Sequence, residues 1–192
     1  MDGGYQRPHR RIGPGPRDGT GWPDGYRIWV VGGFGCGKST LSQALAKARQ
    51  LPYIELDGVF WQPGWRPADP AQFAAEVERA TSGPRWIVDG QYEQLRPLLL
   101  DRVDTIIVVD ARRTTAQRRI INRSATRFRA RERLWNGERE SLRSVTTMLV
   151  QAWRQHPRTR LVNRQLLAAA APGVRTIHMW TDRGQGAAAT AG

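Results

Sequence analysis

Eight residues, Gly32 to Ser39, constrain the fold of this chain more than any other feature. They read Gly-Gly-Phe-Gly-Cys-Gly-Lys-Ser and fit the pattern G-x-x-x-x-G-K-[ST] without a mismatch. An apolar run, residues 27–31, precedes them, and a helical pattern, residues 38–50, follows them. A glycine-rich turn between a strand and a helix lets backbone N–H groups surround a phosphate at the positive end of the helix dipole. The motif therefore predicts a phosphate-binding loop in an α/β fold.

The residues of this loop are candidates for binding a nucleotide and its metal. Lys38 can reach the β and γ phosphates, and the hydroxyl of Ser39 can hold Mg²⁺. ATP and Mg²⁺ are therefore the expected nucleotide and metal. The alternative is a glycine-rich turn with an unrelated lysine, and Cys36 is either a tolerated small residue or a redox-sensing thiol. The predicted nucleotide-binding residues are Gly33, Gly35, Cys36, Gly37, Lys38, Ser39 and Thr40.

Short apolar runs alternate with helical stretches along the middle of the chain. The runs are continuously apolar, which is typical of parallel strands covered on both faces. Asp69 followed by Pro70 is a helix start, with the aspartate as the cap. The pattern predicts a P-loop NTPase of the α/β class, with a five-stranded parallel sheet, helices on both faces and an arginine-rich helical lid. The predicted strands are residues 27–31, 53–56, 86–88, 105–109 and 174–179.

The two ends of the chain differ in composition from its middle. Residues 1–25 are rich in glycine and proline, and residues 181–192 are rich in glycine and alanine. Such segments bury too little apolar area to order themselves, so both are predicted to be disordered tails around a domain at residues 26–180. The single cysteine excludes an internal disulfide framework. Without a long apolar run we expect no membrane segment and a cytoplasmic protein.

Two aspartates follow predicted strands, and each precedes a glycine. Asp57 comes after the second strand and Asp89 after the third. Ligands of open parallel sheets bind at the carboxyl ends of the strands, on the side of the phosphate loop. We expect Asp89 to lie near the metal and Asp57 to orient or deprotonate the acceptor, the alternative for both being a capping role. Asp110, after the fourth strand, is a weaker candidate whose alternative is pairing with Arg112 or Arg113.

An aromatic tract follows Asp57. Residues 59–65 read Val-Phe-Trp-Gln-Pro-Gly-Trp, with three aromatic side chains within six residues. They can floor an acceptor pocket, or they can pack a small core of their own. The sequence does not decide between the two.

The net charge of +13 is concentrated in one block. Residues 112–164 hold fifteen arginines against three glutamates. Within it, four arginines at a spacing of four form one face of a predicted helix, with Ile121, Ala125 and Phe128 on the opposite, inward face. That face is either solvated or aimed at the triphosphate from a lid at about residues 112–145. The four are Arg119, Arg123, Arg127 and Arg131. A turn at residues 134–140 leads into another helix at about residues 141–155, and Arg139 from the turn with Arg143 and Arg154 from the helix could supplement the stripe.

With these residues in place, the sequence resembles the adenylate-kinase-like P-loop kinases. It is most similar to the bacterial topology modulation protein (FlaR-type) group. The resemblance covers about residues 27–180. The residues that carry it are Gly32 to Thr40, Leu56-Asp57 with Phe60-Trp61 and Pro63-Gly64-Trp65, Trp86 to Tyr92, Asp110 to Arg113, and Leu134 to Glu140.

The resemblance implies an ATP and Mg²⁺ site on a nucleoside monophosphate kinase fold. Asp89-Gly90 matches the Asp-Gly pair that adenylate kinases place near Mg²⁺, and Arg119 with Arg123 matches their R-x-x-x-R at the start of the lid. Adenylate kinases continue the Asp-Gly pair with Phe-Pro-Arg, whereas this chain has Gln-Tyr-Glu at residues 91–93. The arginine that would grip an acceptor monophosphate is thus missing at that place.

The expected function is phosphotransfer. The chain is predicted to transfer the γ-phosphoryl group of Mg·ATP to a nucleotide or a small hydroxyl acceptor. The alternatives are a nucleotide-dependent nucleic-acid-binding or regulatory ATPase, suggested by the arginine block, and an ATP-binding protein with a protein partner. The predicted catalytic residues are Lys38, Asp57, Arg119, Arg123 and Arg127, and the predicted metal ligands are Ser39 and Asp89.

Overall fold

A computed structural model of the chain describes residues 25–130 and 142–181. The strands are β1 Arg27–Gly32, β2 Tyr53–Glu55, β3 Trp61–Gln62, β4 Arg66–Pro67, β5 Trp86–Asp89, β6 Thr105–Asp110 and β7 Arg175–Trp180. The helices are α1 Lys38–Arg49, α2 Leu56–Phe60, α3 Pro70–Ala80, α4 Arg96–Arg102, α5 Arg113–Ala130 and α6 Leu142–Ala168. The predictions for Arg131, Arg139, the central part of the lid, residues 1–24 and residues 182–192 lie outside the described residues.

Five strands form one parallel sheet in the order β2-β5-β1-β6-β7. The strand that precedes the phosphate loop, β1, lies at its centre. All carboxyl ends therefore lie at one edge, together with the loop. A small antiparallel hairpin, β3–β4, is separate from this sheet. The predicted α/β class and five-stranded parallel sheet are confirmed.

Both faces of the sheet are covered, because alternate residues of β1 enter different cores. Ile28 and Val30 belong to a cluster with Leu45 of α1. Trp29 and Val31 belong to a second cluster, on the other face. Helices α3, α4 and α6 enter that second cluster through Phe73, Val77, Leu99 and Leu166. Burial on two faces explains why β1, β5 and β6 are buried along almost their whole length, whereas the edge strand β7 is partly exposed.

The inward face of α5 differs from its prediction. Ile121 is 52% exposed and Phe128 39% exposed, so the expectation that they pack inward is wrong. The buried stripe of the helix is Ala116, Ile120 and Ser124. Arg119 and Arg123 of the predicted arginine stripe each come one residue before a member of this buried stripe, Ile120 and Ser124, about 100° away around the helix. The arginines therefore flank the buried face and do not lie opposite it.

Helix α6 is longer than predicted and ends at Ala168 instead of near residue 155. It includes Pro157, which lacks the N–H that an interior helix residue donates. No helix among residues 25–130 and 142–181 combines the length and the apolar character needed to cross a bilayer.

The start of α3 provides a test of local stability. The Asp69 side chain accepts hydrogen bonds from the backbone N–H groups of Ala71 and Gln72, at 2.9 and 3.0 Å. Asp69→Ala should lower the free energy of unfolding by about 1 kcal/mol, because these donors lose their cap. Asp69→Asn keeps an acceptor and should differ from wild type by less than about 0.5 kcal/mol. Urea unfolding of the three proteins measures the difference, and equal loss in both variants would contradict the capping role.

Candidate functional site

The phosphate loop is packed against the first turns of α5. Gly35 and Gly37 have φ angles of 68° and 96°, which side chains other than glycine rarely adopt. A Cβ atom at Gly35 would collide with the carbonyl oxygen of Ala116. The glycines therefore supply both the backbone conformation and the close approach of loop to helix. The loop leads into α1, whose first residues are Lys38 and Ser39.

Arg119 ties this loop to the end of the sheet. Its guanidinium donates to the carbonyl oxygen of Cys36 at 3.0 Å and to the hydroxyl of Thr181 at 2.7 Å. That hydroxyl donates to the same Cys36 carbonyl at 2.6 Å. Arg119 thus lies at the phosphate loop and supports its backbone, whereas direct contact of Arg119 with phosphate stays a prediction.

Cys36 belongs to the phosphate loop, and its side chain is buried. Burial raises the pKa of its thiol above the ordinary value, although the positive charge of Lys38 acts in the opposite direction. The thiol therefore stays protonated at neutral pH. This favours the interpretation of Cys36 as a small packing residue, because redox-sensing thiols have lowered pKa values and are accessible.

Opposing effects act on the pKa of Lys38. Burial acts to lower its pKa, but Cys36 in its ionised form and the carboxylates of Asp89 and Asp57 act in the opposite direction, and the net pKa is raised. The positive charge of Arg123 acts against this rise. The side chain is therefore a stable ammonium ion, with two of the predicted carboxylates close enough to influence it. This is the form that attracts phosphate oxygens.

Asp89 is the last residue of β5 and is only 2% exposed. Its Oδ2 atom accepts a hydrogen bond of 2.9 Å from the Tyr53 hydroxyl. Its Oδ1 atom is buried and has no hydrogen-bond partner among the described residues. An unpaired buried carboxylate oxygen is costly, and a bound cation would satisfy it. Asp89 therefore fits the predicted metal site.

The described residues do not form a closed metal cage. No group of three His, Cys, Asp or Glu side chains converges within residues 25–130 and 142–181. Mg²⁺ typically takes one or two protein ligands and completes its shell with phosphate oxygens and water. Asp89 with Ser39 at the start of α1 agrees with that pattern.

Asp57 lies in a helix and not directly after a strand. The strand was predicted at residues 53–56, but β2 ends at Glu55 and the short helix α2 begins at Leu56. Asp57 is in the first turn of this helix. Its Oδ1 atom accepts a hydrogen bond of 2.7 Å from the Tyr92 hydroxyl. The Trp61 side chain lies near enough to Tyr92 to oppose the rise of its pKa.

Glu55 is a member of the site that the sequence analysis missed. It pairs in register with Asp89 on the neighbouring strand, so the two side chains share a face of the sheet. Burial raises the pKa of Glu55, and the charges of Asp89 and Asp57 raise it further, against the effect of Lys38 and Arg127. The available signal was a third acid at the end of an apolar strand, two residues before Asp57.

Two members of the arginine stripe act on this group of charges. Arg123 opposes the ammonium of Lys38, and Arg127 stabilises the carboxylate of Glu55. Arg123 also donates to the sulfur of Met148 on α6, at 3.4 Å. Arg123 and Arg127 therefore lie near enough to the carboxyl edge of the sheet to act on its charges, and their contact with a triphosphate stays a prediction.

Asp110 has other partners than those expected. Its Oδ2 atom lies 2.7 Å from Nε2 of His178 and 3.8 Å from Nε of Arg160. These partners come from β7 and α6. A cavity of about 10 Å³ beside them, behind the phosphate loop, has room for about one water molecule. Asp110 is therefore part of the joint between β6, β7 and α6.

The aromatic tract at residues 59–65 was predicted either to floor an acceptor pocket or to pack a small core, and its two ends differ in this respect. The ring of Phe60 contacts Phe73 and Tyr92, with centroids 5.1 and 4.6 Å apart, and it joins the core. Trp61 and Trp65 form an edge-to-face pair at 5.8 Å at the β3–β4 hairpin, and Trp65 is 40% exposed. One end of the tract is therefore core, and the other is an accessible aromatic surface whose Trp61 is linked through Tyr92 to Asp57.

Comparison with known proteins gives structural similarities at low sequence identity. No protein-family model matches the chain. No curated protein matches it either. The resemblance to the topology modulation group therefore stays a prediction. The chain is similar in structure to a gluconokinase from Sinorhizobium meliloti 1021, with 18% identity, a TM-score of 0.46 and coverage of 92% of this chain and 87% of the gluconokinase.

A shikimate kinase from Acinetobacter baumannii, solved in complex with shikimate, is a second such structure. It has 14% identity, a TM-score of 0.46 and coverage of 84% of this chain and 86% of the shikimate kinase. At these values the similarities carry no argument about what this chain acts on. The assignment of the site rests on the residues described above.

The close packing at Gly35 is directly testable. Gly35→Ala should lower the free energy of unfolding by about 1–3 kcal/mol, because the new methyl group meets both an unfavourable φ and the Ala116 carbonyl. Gly83 has no atom within 4 Å of a built Cβ, so Gly83→Ala should change stability by less than about 1 kcal/mol. Chemical unfolding measures both. An equal effect of the two substitutions would contradict the described packing.

Proposed function

We propose that this protein is a phosphotransferase that moves the γ-phosphoryl group of Mg·ATP to a hydroxyl group of a small molecule. The observation that carries the proposal is the meeting of Lys38, Asp89 and Asp57 at the edge of the sheet that holds the phosphate loop. A phosphate-binding loop, a metal-type carboxylate and a separate acceptor-side carboxylate are the parts that phosphoryl transfer requires.

The nucleotide side of the site is formed by the loop and α1. Backbone N–H groups of residues 33–40 and the Lys38 ammonium bind the phosphates, at the N-terminus of the helix. Asp89 and Ser39 hold Mg²⁺, which when bound neutralises charge on the transferring group. Arg123 and Arg127 supply further positive charge from α5, where it stabilises the transition state.

The acceptor side favours a hydroxyl group over a phosphate. Glu55, Asp57 and Asp89 place three carboxyl groups at this edge, and they would repel the two negative charges of a monophosphate. A monophosphate is also already ionised at neutral pH and has no need of a base. A hydroxyl group is neutral and gains from a carboxylate that accepts its proton. Glu93 stands at the position where adenylate kinases have the arginine that grips an acceptor monophosphate, which agrees with this choice.

The proposed reaction is a displacement at the γ phosphorus of ATP. The acceptor hydroxyl oxygen attacks the γ phosphorus, and the bond between that phosphorus and the β–γ bridging oxygen breaks. The hydroxyl proton passes to the carboxylate of Asp57, and the bond electrons leave with ADP. The products are the phosphorylated acceptor and ADP, with one proton on Asp57 to return to solvent.

Nucleic-acid binding is a second candidate function, and the charge of two helices favours it. Helices α5 and α6 carry eleven arginines between them and no aspartate or glutamate. Trp153 on α6 is 48% exposed. If this surface binds nucleic acid, affinity for a single-stranded oligonucleotide should fall steeply as salt rises, because counterions are released. Absence of binding near physiological ionic strength would exclude this candidate.

Lys38 can be tested against the chain's one other lysine. ADP release from Mg·ATP, measured across a panel of nucleosides, sugars, polyols, hydroxy acids and nucleoside monophosphates, should depend on a hydroxyl acceptor. Lys38→Ala should lower this rate at least about 100-fold, because the phosphates lose a positioned charge. Lys47 is exposed on α1, and Lys47→Ala should leave the rate unchanged. ADP release that ignores every acceptor would contradict the proposed phosphotransfer.

Arg123 allows a matched test on α5. Arg123→Ala should lower the turnover number at least about 100-fold with little change in the melting temperature, since it stabilises charge in the transition state. Arg118 is an exposed arginine on the same helix without a link to Lys38, and it is the control. An unchanged turnover number for Arg123→Ala would show that the stripe is only a solvated face.

A further inference from the structure

Each of the two site aspartates is held by one tyrosine. Tyr92 donates to Oδ1 of Asp57 at 2.7 Å, and Tyr53 donates to Oδ2 of Asp89 at 2.9 Å. We propose that Tyr92 and Tyr53 are positioning residues with separate tasks, Tyr92 for acceptor activation by Asp57 and Tyr53 for metal binding by Asp89. This inference rests on the proposed function and extends it to residues that touch neither substrate nor metal.

Both phenols act as permanent donors. Burial raises the pKa of Tyr92, and the nearby Asp57 carboxylate raises it further. Burial and the Asp89 carboxylate do the same to the pKa of Tyr53. Neither phenol therefore ionises near neutral pH, and neither competes with the aspartates as a base. Each supplies an O–H to a carboxylate, which is the stronger, charge-assisted kind of hydrogen bond.

Tyr92 is fixed from two sides. Its ring packs against those of Phe60 and Phe73, with centroids 4.6 and 5.0 Å away, at the border of the core. The Trp61 side chain lies near its hydroxyl and opposes the rise of its pKa. The position of the phenol is thus set by packing, independently of Asp57. By holding Oδ1 in place, it can orient the carboxylate so that its other oxygen accepts the proton of an acceptor.

Tyr53 has the corresponding relation to Asp89. Its ring packs at the border of the core that includes α1, and the Gln43 side chain lies near enough to oppose the rise of its pKa. Its hydroxyl occupies Oδ2 of Asp89 and leaves the buried Oδ1 atom unpaired. Donors that orient a metal-binding carboxylate in this way commonly change metal affinity 10–100-fold when they are removed.

The two tasks can be separated with Tyr92→Phe and Tyr53→Phe. Each change removes one hydroxyl group and keeps the ring packing, so both proteins should fold. In steady-state assays with an active hydroxyl acceptor, Tyr92→Phe should lower kcat about 10-fold or more, because proton transfer loses its aligned base. Its KM for ATP and its Mg²⁺ concentration for half-maximal rate should stay at the wild-type values.

Tyr53→Phe should show the reverse pattern. The Mg²⁺ concentration for half-maximal rate should rise about 10-fold. At saturating Mg²⁺ its kcat should return to within about 2-fold of wild type, since the acceptor side is intact. A purely structural role of the tyrosines predicts equal changes in all parameters for both variants. That result, or no change in either variant, would overturn the proposal.

Isothermal titration of ATP with and without Mg²⁺ separates this inference from the proposed function. Tyr53→Phe should lose most of the gain in ATP affinity that Mg²⁺ gives to wild type, and Tyr92→Phe should keep it. These titrations need no acceptor. A wild type that transfers phosphate to no acceptor overturns the proposed function and the task of Tyr92, while the task of Tyr53 is decided by the titrations alone.

Discussion

The site depends on the parallel register of β1 with β5. This pairing sets Val30, two residues before the phosphate loop begins, beside Asp89 at the end of β5. Two hydrogen bonds fix the chain just beyond: the Gly90 N–H donates to the Val30 carbonyl at 3.2 Å, and the buried Trp29 indole donates to the Gly90 carbonyl at 2.8 Å. Strand β2 adds Glu55 in register with Asp89. A one-residue slip would turn these carboxylates to the other face of the sheet.

The charged side chains at this edge of the sheet shift one another's pKa values. Lys38 keeps its proton although burial opposes it, because Asp89 and Asp57 lie near. The pKa of Glu55 is raised, because burial and the same two aspartates disfavour its charged form. Arg123 and Arg127 bring positive charge from α5. A partly buried mixture of charges around the buried Asp89 does little for stability alone and is typical of functional sites.

Features encoded in a short stretch of residues were predictable from the sequence. The phosphate loop, the continuously apolar strands and the Asp69 cap each depend on neighbours within a few positions, and the structure has all three. The phase of α5 was wrong, because a helix with apolar residues on more than one face gives no unique inward stripe. Ile121 and Phe128 were therefore placed inward although they are exposed.

The contacts that organise the site join residues far apart in the chain. Tyr92 reaches Asp57 across 35 positions, and Tyr53 reaches Asp89 across 36. No local pattern marks a tyrosine as the partner of a distant aspartate, since the contact arises only when β2 and β5 lie side by side. Arg119 shows the same limit. Its spacing with Arg123 marks it as a candidate for a lid, but no spacing rule indicates its contacts with the Cys36 carbonyl and with Thr181, which is 62 positions away.

The central claim is that Asp89 binds the metal of a nucleotide seated on the phosphate loop. It is tested most directly by titrating ATP into wild type and Asp89→Asn, each with and without Mg²⁺. The substitution keeps the size of the side chain and removes its negative charge. The account predicts that Mg²⁺ strengthens ATP binding to wild type and that this gain is lost in Asp89→Asn. An equal gain in both proteins would contradict it.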